Sequence, residues 1–390
     1  MPIRQQFVRN VAAPSEHLHH WPSSLLFLSC HLYYAASNGT TTVASAAERD
    51  KALAYCSNLL RTYDSPSFTL QTFVPPSART AYLAIRAFNI DIARIADATS
   101  NPTVGRMRMQ FWRDAITRAL AGNPPKEPVA LLLAHALESL QSHGGSSGLS
   151  KSWFLRVINE REKALGNPPY PSLAALERYA ENTYATLLYL TLQAVPLASV
   201  TVDHLASHIG KAVGIAAVLR GVPLVAFPPP ANHHSNQAEF GAGSQRQGAV
   251  LLPLDVMAEN GVKEEEVLRH GAEAAGLRDA VFAVATRAND HLITARAMLA
   301  NLRAGGEVDH EFEHAHEEEH RYSPAQLSKG VGAQLEDVDK GFGVLMPAVA
   351  TALWLERLQK VDFDVFEPSL RTTDWKLPWK AYWAFKRRRL

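Results

Sequence analysis

From Asp50 onward, apolar residues recur at three- and four-residue intervals, the spacing that lines them up on one face of an α-helix. The run Ala78–Ala98 follows Pro75 and Pro76 and carries Leu83, Phe88, Ile92 and Ile95 as one stripe, with proline at a helix start. The same pattern predicts helices over Lys51–Tyr63, Met107–Leu120, Pro128–Gln141, Lys151–Leu165, Leu173–Ala194 and the small-residue run His204–Val222. Arg278–Leu302 keeps Val281, Ala285, Ala288, Leu292, Ala295 and Leu299 on one side, a face suited to a bundle. Gly122, the Pro124–Pro125 pair, the loop His143–Gly148, and Pro168, Pro169 and Pro171 punctuate these runs. No alternating strand series interrupts them, so the chain is expected to be all-α, a single helical bundle.

Several stretches break the pattern. Residues 1–47 hold Arg4 and Arg9, a single acid (Glu16), many Ser, Thr and Ala residues, and a short apolar run from Leu25. Such a stretch reads as a mitochondrial transit peptide, with a plain disordered N-terminus and a secretory signal as alternatives. The apolar run begins behind Pro14 and Pro22, far in for a secretory signal. Residues 50–302 form the expected helical domain, with 228–248 as a Pro-, Gly- and polar-rich loop insertion. Residues 305–343 read as a charged disordered insertion, and 344–390 as a C-terminal helix and basic aromatic tail completing the domain.

Composition narrows the classes. At 47% hydrophobic and 20% charged, the 390 residues suffice for a sizeable core, which excludes a disordered chain. Lys plus Arg number 39 against 38 Asp plus Glu, so no whole-chain attraction to nucleic acid follows. Cys30 and Cys56 have no metal-ligand spacing and make no disulfide framework, which fits a reducing compartment. No stretch reads as the roughly 20 apolar residues that span a bilayer, so the chain is expected to be soluble or peripheral.

Four segments carry a family likeness. Ala84-Ile-Arg-Ala-Phe-Asn-Ile-Asp-Ile-Ala-Arg-Ile-Ala-Asp97 resembles the first aspartate-rich helix of squalene and phytoene synthases, and Arg106–Ile116 the helix after it. Gly210-Lys-Ala-Val-Gly-Ile-Ala-Ala-Val-Leu-Arg220 resembles the second aspartate-rich helix, and Leu251–Asp255 with Gly261 and Val262 the segment beyond. The resemblance implies a bundle of the isoprenoid synthase type. Five further strings, Leu83–Asn89, Met107–Trp112, Tyr179–Thr183, Ser207–Ala212 and Val361–Leu370, resemble the branch of that family that serves assembly of mitochondrial respiratory complex I. That implies a protein on the matrix side of the inner membrane, with a complex I subunit or assembly intermediate as partner.

The synthases hold diphosphates with Mg²⁺ gripped by carboxylates on two facing helices, since magnesium takes oxygen ligands. Carboxylates at i and i+4 share one helical face. Here Asp97 occupies the last carboxylate position of the first motif, but the residue four before it is Ala93. Arg94, three residues before Asp97, is placed to pair with it locally. On the second helix Gly221 follows Arg220 where the family has aspartate, and no acid occurs between Asp203 and Glu239. In the intervening helix the family's acidic positions fall on Asn159 and Ala164. No catalytic residue, no metal ligand and no cofactor is therefore assigned, and a non-catalytic binding role is expected. A magnesium-dependent prenyltransferase joining two isoprenoid diphosphates is the alternative. Candidate ligand-pocket residues are Arg86, Asp97, Arg108, Tyr179, Lys211 and Arg220, since guanidinium groups pair well with phosphate. Ordinary salt bridges, with Glu181 or Asp114 as partners, are the competing reading for the basic ones.

Two other features stand out. Histidines 310, 314, 316 and 320 sit among five glutamates, and the 310/314 and 316/320 pairs have the spacing for zinc on a helix. Their Glu-rich, Gly-flanked setting favours a solvated insertion instead. The tail carries Trp379, Tyr382, Trp383 and Phe385 beside Lys386–Arg389, a pattern for a peripheral contact with an anionic inner-membrane surface or for packing on the bundle.

Overall fold

The computed structural model describes residues 45–390 apart from 100, 143–147, 229–247, 307–309, 316 and 321. The expected transit segment and the loop insertion at 228–248 lie almost wholly outside the described residues.

Helix α1 (Ala46–Tyr63) starts at a capping box: the Glu48 amide donates to Ser45 Oγ, and the Ser45 amide donates to the Glu48 carboxylate. Asp64 then caps α2 (Ser65–Leu70). Next come α3 (Arg79–Ala98), α4 (Pro102–Leu120), α5 (Pro128–Ser142) and α6 (Lys151–Lys163). α7 (Leu173–Ala180) runs into α8 (Thr186–Ala194) through a π-helical turn at Glu181–Ala185. α9 (Val200–Ala226) is followed by the short α10 (Leu254–Glu259) and α11 (Glu264–His270), then α12 (Leu277–Arg303). α13 (Pro324–Leu327), α14 (Val331–Gly341), α15 (Pro347–Lys360) and α16 (Leu377–Arg387) close the chain. No strand occurs among the described residues, as the periodicity predicts.

α9 is the central helix. α7, the π turn, α8, α12 and α15 all pack against it, and it is apolar on every side, as a buried helix must be. It is also long and apolar enough to cross a membrane, which corrects the expectation that no such stretch exists; most of it is enclosed by its neighbours. α3 lies against α1, α5 and α8. Its Phe88, fully buried, sets its ring edge-on to Trp112 of α4 and Phe154 of α6, at 5.6 and 5.2 Å. A continuous hydrophobic cluster runs from Ala52 on α1 to Ala381 on α16.

The segment 305–343 departs from its expectation as a disordered insertion. Phe312 and His320 are buried, Arg156 of α6 reaches Glu317 at 2.6 Å, and the Tyr322 hydroxyl donates to Asp203. α14 lies on α9 and α12. The charges that look solvated in sequence find partners far along the chain. The run 310–320 forms turns rather than a helix among its described residues, so its i, i+4 histidine pairs do not share a helical face.

Candidate functional site

Three arginines from three helices gather inside the bundle. Arg86 of α3 is buried, 3.1 Å from the Asp64 carboxylate, and it donates to Ser67 Oγ. Burial opposes its charge, but Asp64 outweighs that and raises its pKa. Arg161 of α6 donates to Asn89 Oδ1 at 3.0 Å and to the Tyr179 hydroxyl. Its guanidinium lies 5.3 and 5.4 Å from the rings of Tyr179 and Tyr184. Arg220 of α9 donates to the Ala216 carbonyl at 3.2 Å and covers Trp354 at 5.4 Å. Burial, with Arg86 nearby, lowers its pKa. Tyr184 is within electrostatic reach of all three guanidiniums. Arg86 Nε and Arg161 Nε are buried without an acceptor among the described residues. An interior with this surplus of positive charge suits an anion.

Of the sequence candidates, the structure brings Arg86, Tyr179 and Arg220 to this centre. Lys211 sits one helix face away, 3.9 Å from Glu181, the partner the salt-bridge reading names. Glu181 is buried and accepts from the Tyr189 and Ser207 hydroxyls at 2.6 and 2.7 Å. Arg108 is half-buried on α4, and Asp97 is exposed near the end of α3. Arg94 lies over the Tyr63 ring at 4.0 Å, and Asp114 accepts from Gln110. Arg161 and Asn89 were missed, because nothing in their spacing marks them as inward-facing. Asn159, at a position where the family is acidic, accepts from Arg113 at 2.8 Å and helps tie α4 to α6.

The synthase fold implies magnesium between α3 and α9, and the donor set does not fit it. α9 carries one acid, Asp203 in its first turn, which accepts from Tyr322 and lies 3.6 Å from His320 Nδ1. On α3, Asp91 faces the other way, toward Tyr55 and Cys56 of α1 and Glu127. Burial pushes Asp91 up to about 6, against the pull of Arg94. Burial and Asp91 push Glu127 up to about 7, although it accepts from the Val129 and Ala130 amides.

Both folded pKa values lie above the unfolded ones, so the stabilising protons are held at acid pH and lost as pH rises through about 6 to 7. The double variant D91N/E127Q should lack this loss. The stability difference, wild type minus variant, is expected to fall between pH 5 and pH 8 in calorimetric melts. A flat difference would show that the two carboxyls titrate normally.

A match to the squalene/phytoene synthase family covers residues 60–383 of this chain. The chain belongs to that family. Similar proteins include the rat NADH dehydrogenase (ubiquinone) complex I, assembly factor 6, 36% identical over 84% of this chain and 80% of that protein. The human protein of the same name is 33% identical over the same shares, and the homolog from Drosophila melanogaster 29% identical over 84% and 82%. Among solved structures, a dehydrosqualene synthase in complex with ligand matches with a TM-score of 0.56 at 14% identity, covering 87% of this chain and 99% of that one. A squalene synthase from Alicyclobacillus acidocaldarius matches at 0.54, also 14% identical, over 83% and 99%. The helical bundle of the family is thus the fold of this chain.

Proposed function

We propose that this member of the squalene/phytoene synthase family is a non-catalytic mitochondrial factor that supports assembly of respiratory complex I by holding a subunit or assembly intermediate at the matrix face of the inner membrane. The observation that carries the non-catalytic part is the side-chain set of α9, which turns Lys211 and Arg220 inward where a magnesium-diphosphate site needs carboxylates. The assembly role is supported by relatives 33–36% identical over 84% of the chain that bear that name. The arginine centre of Arg86, Arg161 and Arg220 is left as a metal-free place for an anionic head group.

Contact with the membrane falls to α16. Leu377 and Ala381 bury one face of it against the bundle, and Phe385 packs on Phe73 at 5.1 Å. The opposite face exposes Trp379 (67%), Tyr382 (48%) and Trp383 (47%), with Trp375 (74%) just before the helix. Lys386 and Arg387 lie 5.4 and 5.1 Å from the Trp383 ring. Exposed aromatics interleaved with basic groups suit an anionic lipid surface, where each basic residue contributes about 1 kcal/mol.

Loss of the gene in the source organism should leave complex I depleted on native gels and NADH-linked respiration reduced; normal complex I would end the assembly reading. Release of pyrophosphate from farnesyl or geranylgeranyl diphosphate with Mg²⁺ would revive the transferase. The purified chain should sediment with cardiolipin-containing vesicles and not with phosphatidylcholine alone. K386A/R387A should weaken that binding by about 2 kcal/mol, roughly 30-fold. Equal binding to neutral vesicles would remove α16 from this role.

A further inference from the structure

A cluster of imidazoles lies outside the arginine centre, on the other stretch of α9. His204 and His208 stand one turn apart on that helix, and His310 reaches them from the segment after α12. His310 Nε2 is 3.0 Å from His204 Nε2 and 3.2 Å from His208 Nε2, and the three nitrogens lie within 4.8 Å of one another. A neutral imidazole nitrogen carries either one proton or one lone pair, so His310 Nε2 makes one good hydrogen bond and leaves its other contact unmet. A cation at the centre satisfies all three. Tetrahedral zinc with bonds of about 2.0–2.1 Å sets its ligand nitrogens about 3.3 Å apart, close to the two short separations here.

We propose that His204, His208 and His310 form a binding site for a first-row transition-metal ion of the zinc type, which clips the segment after α12 onto α9. All-imidazole ligation selects zinc, copper, nickel or cobalt and disfavours magnesium and calcium, which take oxygen. The site is thus chemically distinct from the family's magnesium centre, and it is independent of the function proposed above.

The surroundings hold the rings in the ligating form. His208 Nδ1 is 3.0 Å from His291 Nδ1, and His291 Nε2 is 2.7 Å from Glu177 Oε1. Burial disfavours charge on Glu177, but the hydrogen bonds from His291 and Arg287 outweigh it and hold the carboxyl at about 2. Being ionised, Glu177 only accepts, so His291 carries its proton on Nε2. A neutral His291 then accepts at Nδ1 from His208 Nδ1–H, which leaves the lone pair of His208 on Nε2, facing the other two rings. This carboxylate–histidine relay behind a ligand is the usual support of a metal-bound imidazole. Burial, with the neighbouring histidines and Lys211, pushes both His204 and His208 down to about 3, so both are neutral at physiological pH. Lys211 is the one cation that opposes a metal here, and its ammonium leans on Glu181. The Phe312 ring stacks on His204 at 5.2 Å and fixes the approach of the segment. His310 is exposed, which leaves a fourth coordination position open to water or to a partner's side chain.

The test uses the full chain stripped with chelator and titrated with zinc chloride alone, followed by calorimetry and native mass spectrometry. One ion per chain is expected, with a rise in melting temperature on loading. Cobalt(II) in place of zinc should give the intense visible bands of a tetrahedral site. H310A, at an exposed residue whose loss spares the fold, should abolish the one-ion phase, while H270A on α11 should leave it intact. E177Q should weaken affinity about 10- to 100-fold without changing the stoichiometry, the effect of losing an outer-shell partner. Zinc binding that persists in H310A, or absence of saturable binding by the wild type, overturns the proposal.

Discussion

Phe88→Ala is expected to destabilise the protein by about 3–5 kcal/mol, the range for emptying a fully buried phenylalanine site. The ring is 0% exposed and meets Trp112 and Phe154 edge-on, so its loss removes contacts to two other helices at once. The hole cannot collapse readily, because α3, α4 and α6 are each tied elsewhere, α4 to α6 by the 2.5 Å Arg113–Glu162 ion pair. Urea unfolding measures the change directly. Phe111, the neighbour that touches Trp112 from the 41%-exposed side, is the internal reference. Phe111→Ala should cost under about 1 kcal/mol, as surface substitutions do. Similar losses at both sites would mean that the α3–α4–α6 junction is not packed as described.

The second large effect is a pair of opposite signs from one chemical change. Gly210→Ala adds a methyl group whose carbon would stand 2.3 Å from Ala185 Cα and 2.5 Å from the Ala185 nitrogen. Backbone cannot move aside as a flexible side chain does, so a loss of about 2–3 kcal/mol is expected. That loss comes despite the roughly 1 kcal/mol by which alanine outdoes glycine inside a helix. Eleven residues on, Gly221 has nothing within 4 Å of the same added atom. Gly221→Ala should therefore stabilise, by up to about 1 kcal/mol. Both changes sit in α9, so a shared sign in thermal or urea unfolding would contradict the close approach of α9 to the π turn.

Much of the fold was legible because local signals agreed with tertiary need. α3 came out within one residue, since the Pro75–Pro76 entry and the apolar stripe point the same way. α4 begins at Pro102 rather than Met107. Its start signals were present, Asn101 as cap accepting from the Thr103 amide and Pro102 at the first turn, but the apolar stripe begins later. α9 runs from Val200 to Ala226, beyond the predicted His204–Val222, and carries Pro223 through its last turn, where proline reads as a stop. Composition failed at 305–343, because a tally of charges cannot show that Glu317 is neutralised by Arg156, 161 residues earlier in the chain.

The sites divide in the same way. Arg86 and Arg220 follow from the family pattern, whereas the salt bridge of Arg86 to Asp64 depends on how α1 meets α2. His204 and His208 form an i, i+4 pair that the sequence displays openly. The third imidazole of that cluster lies 102 residues beyond His208, and only the folded chain brings it there.

The π turn at Glu181–Ala185 has a bearing on which genetic lesions this protein tolerates. The Thr186 amide bonds back to the Glu181 carbonyl, five residues earlier, so the rod from Leu173 to Ala194 holds one residue more than regular α-helical winding would. Loss of a single codon there would restore ordinary winding and swing everything downstream by about 100°. Tyr189 would then leave Glu181, and the apolar side chains from Leu187 to Leu192 would turn away from α9. Many conservative missense changes in this stretch should be milder than that one in-frame deletion, because they alter a side chain and leave the phase of the rod alone.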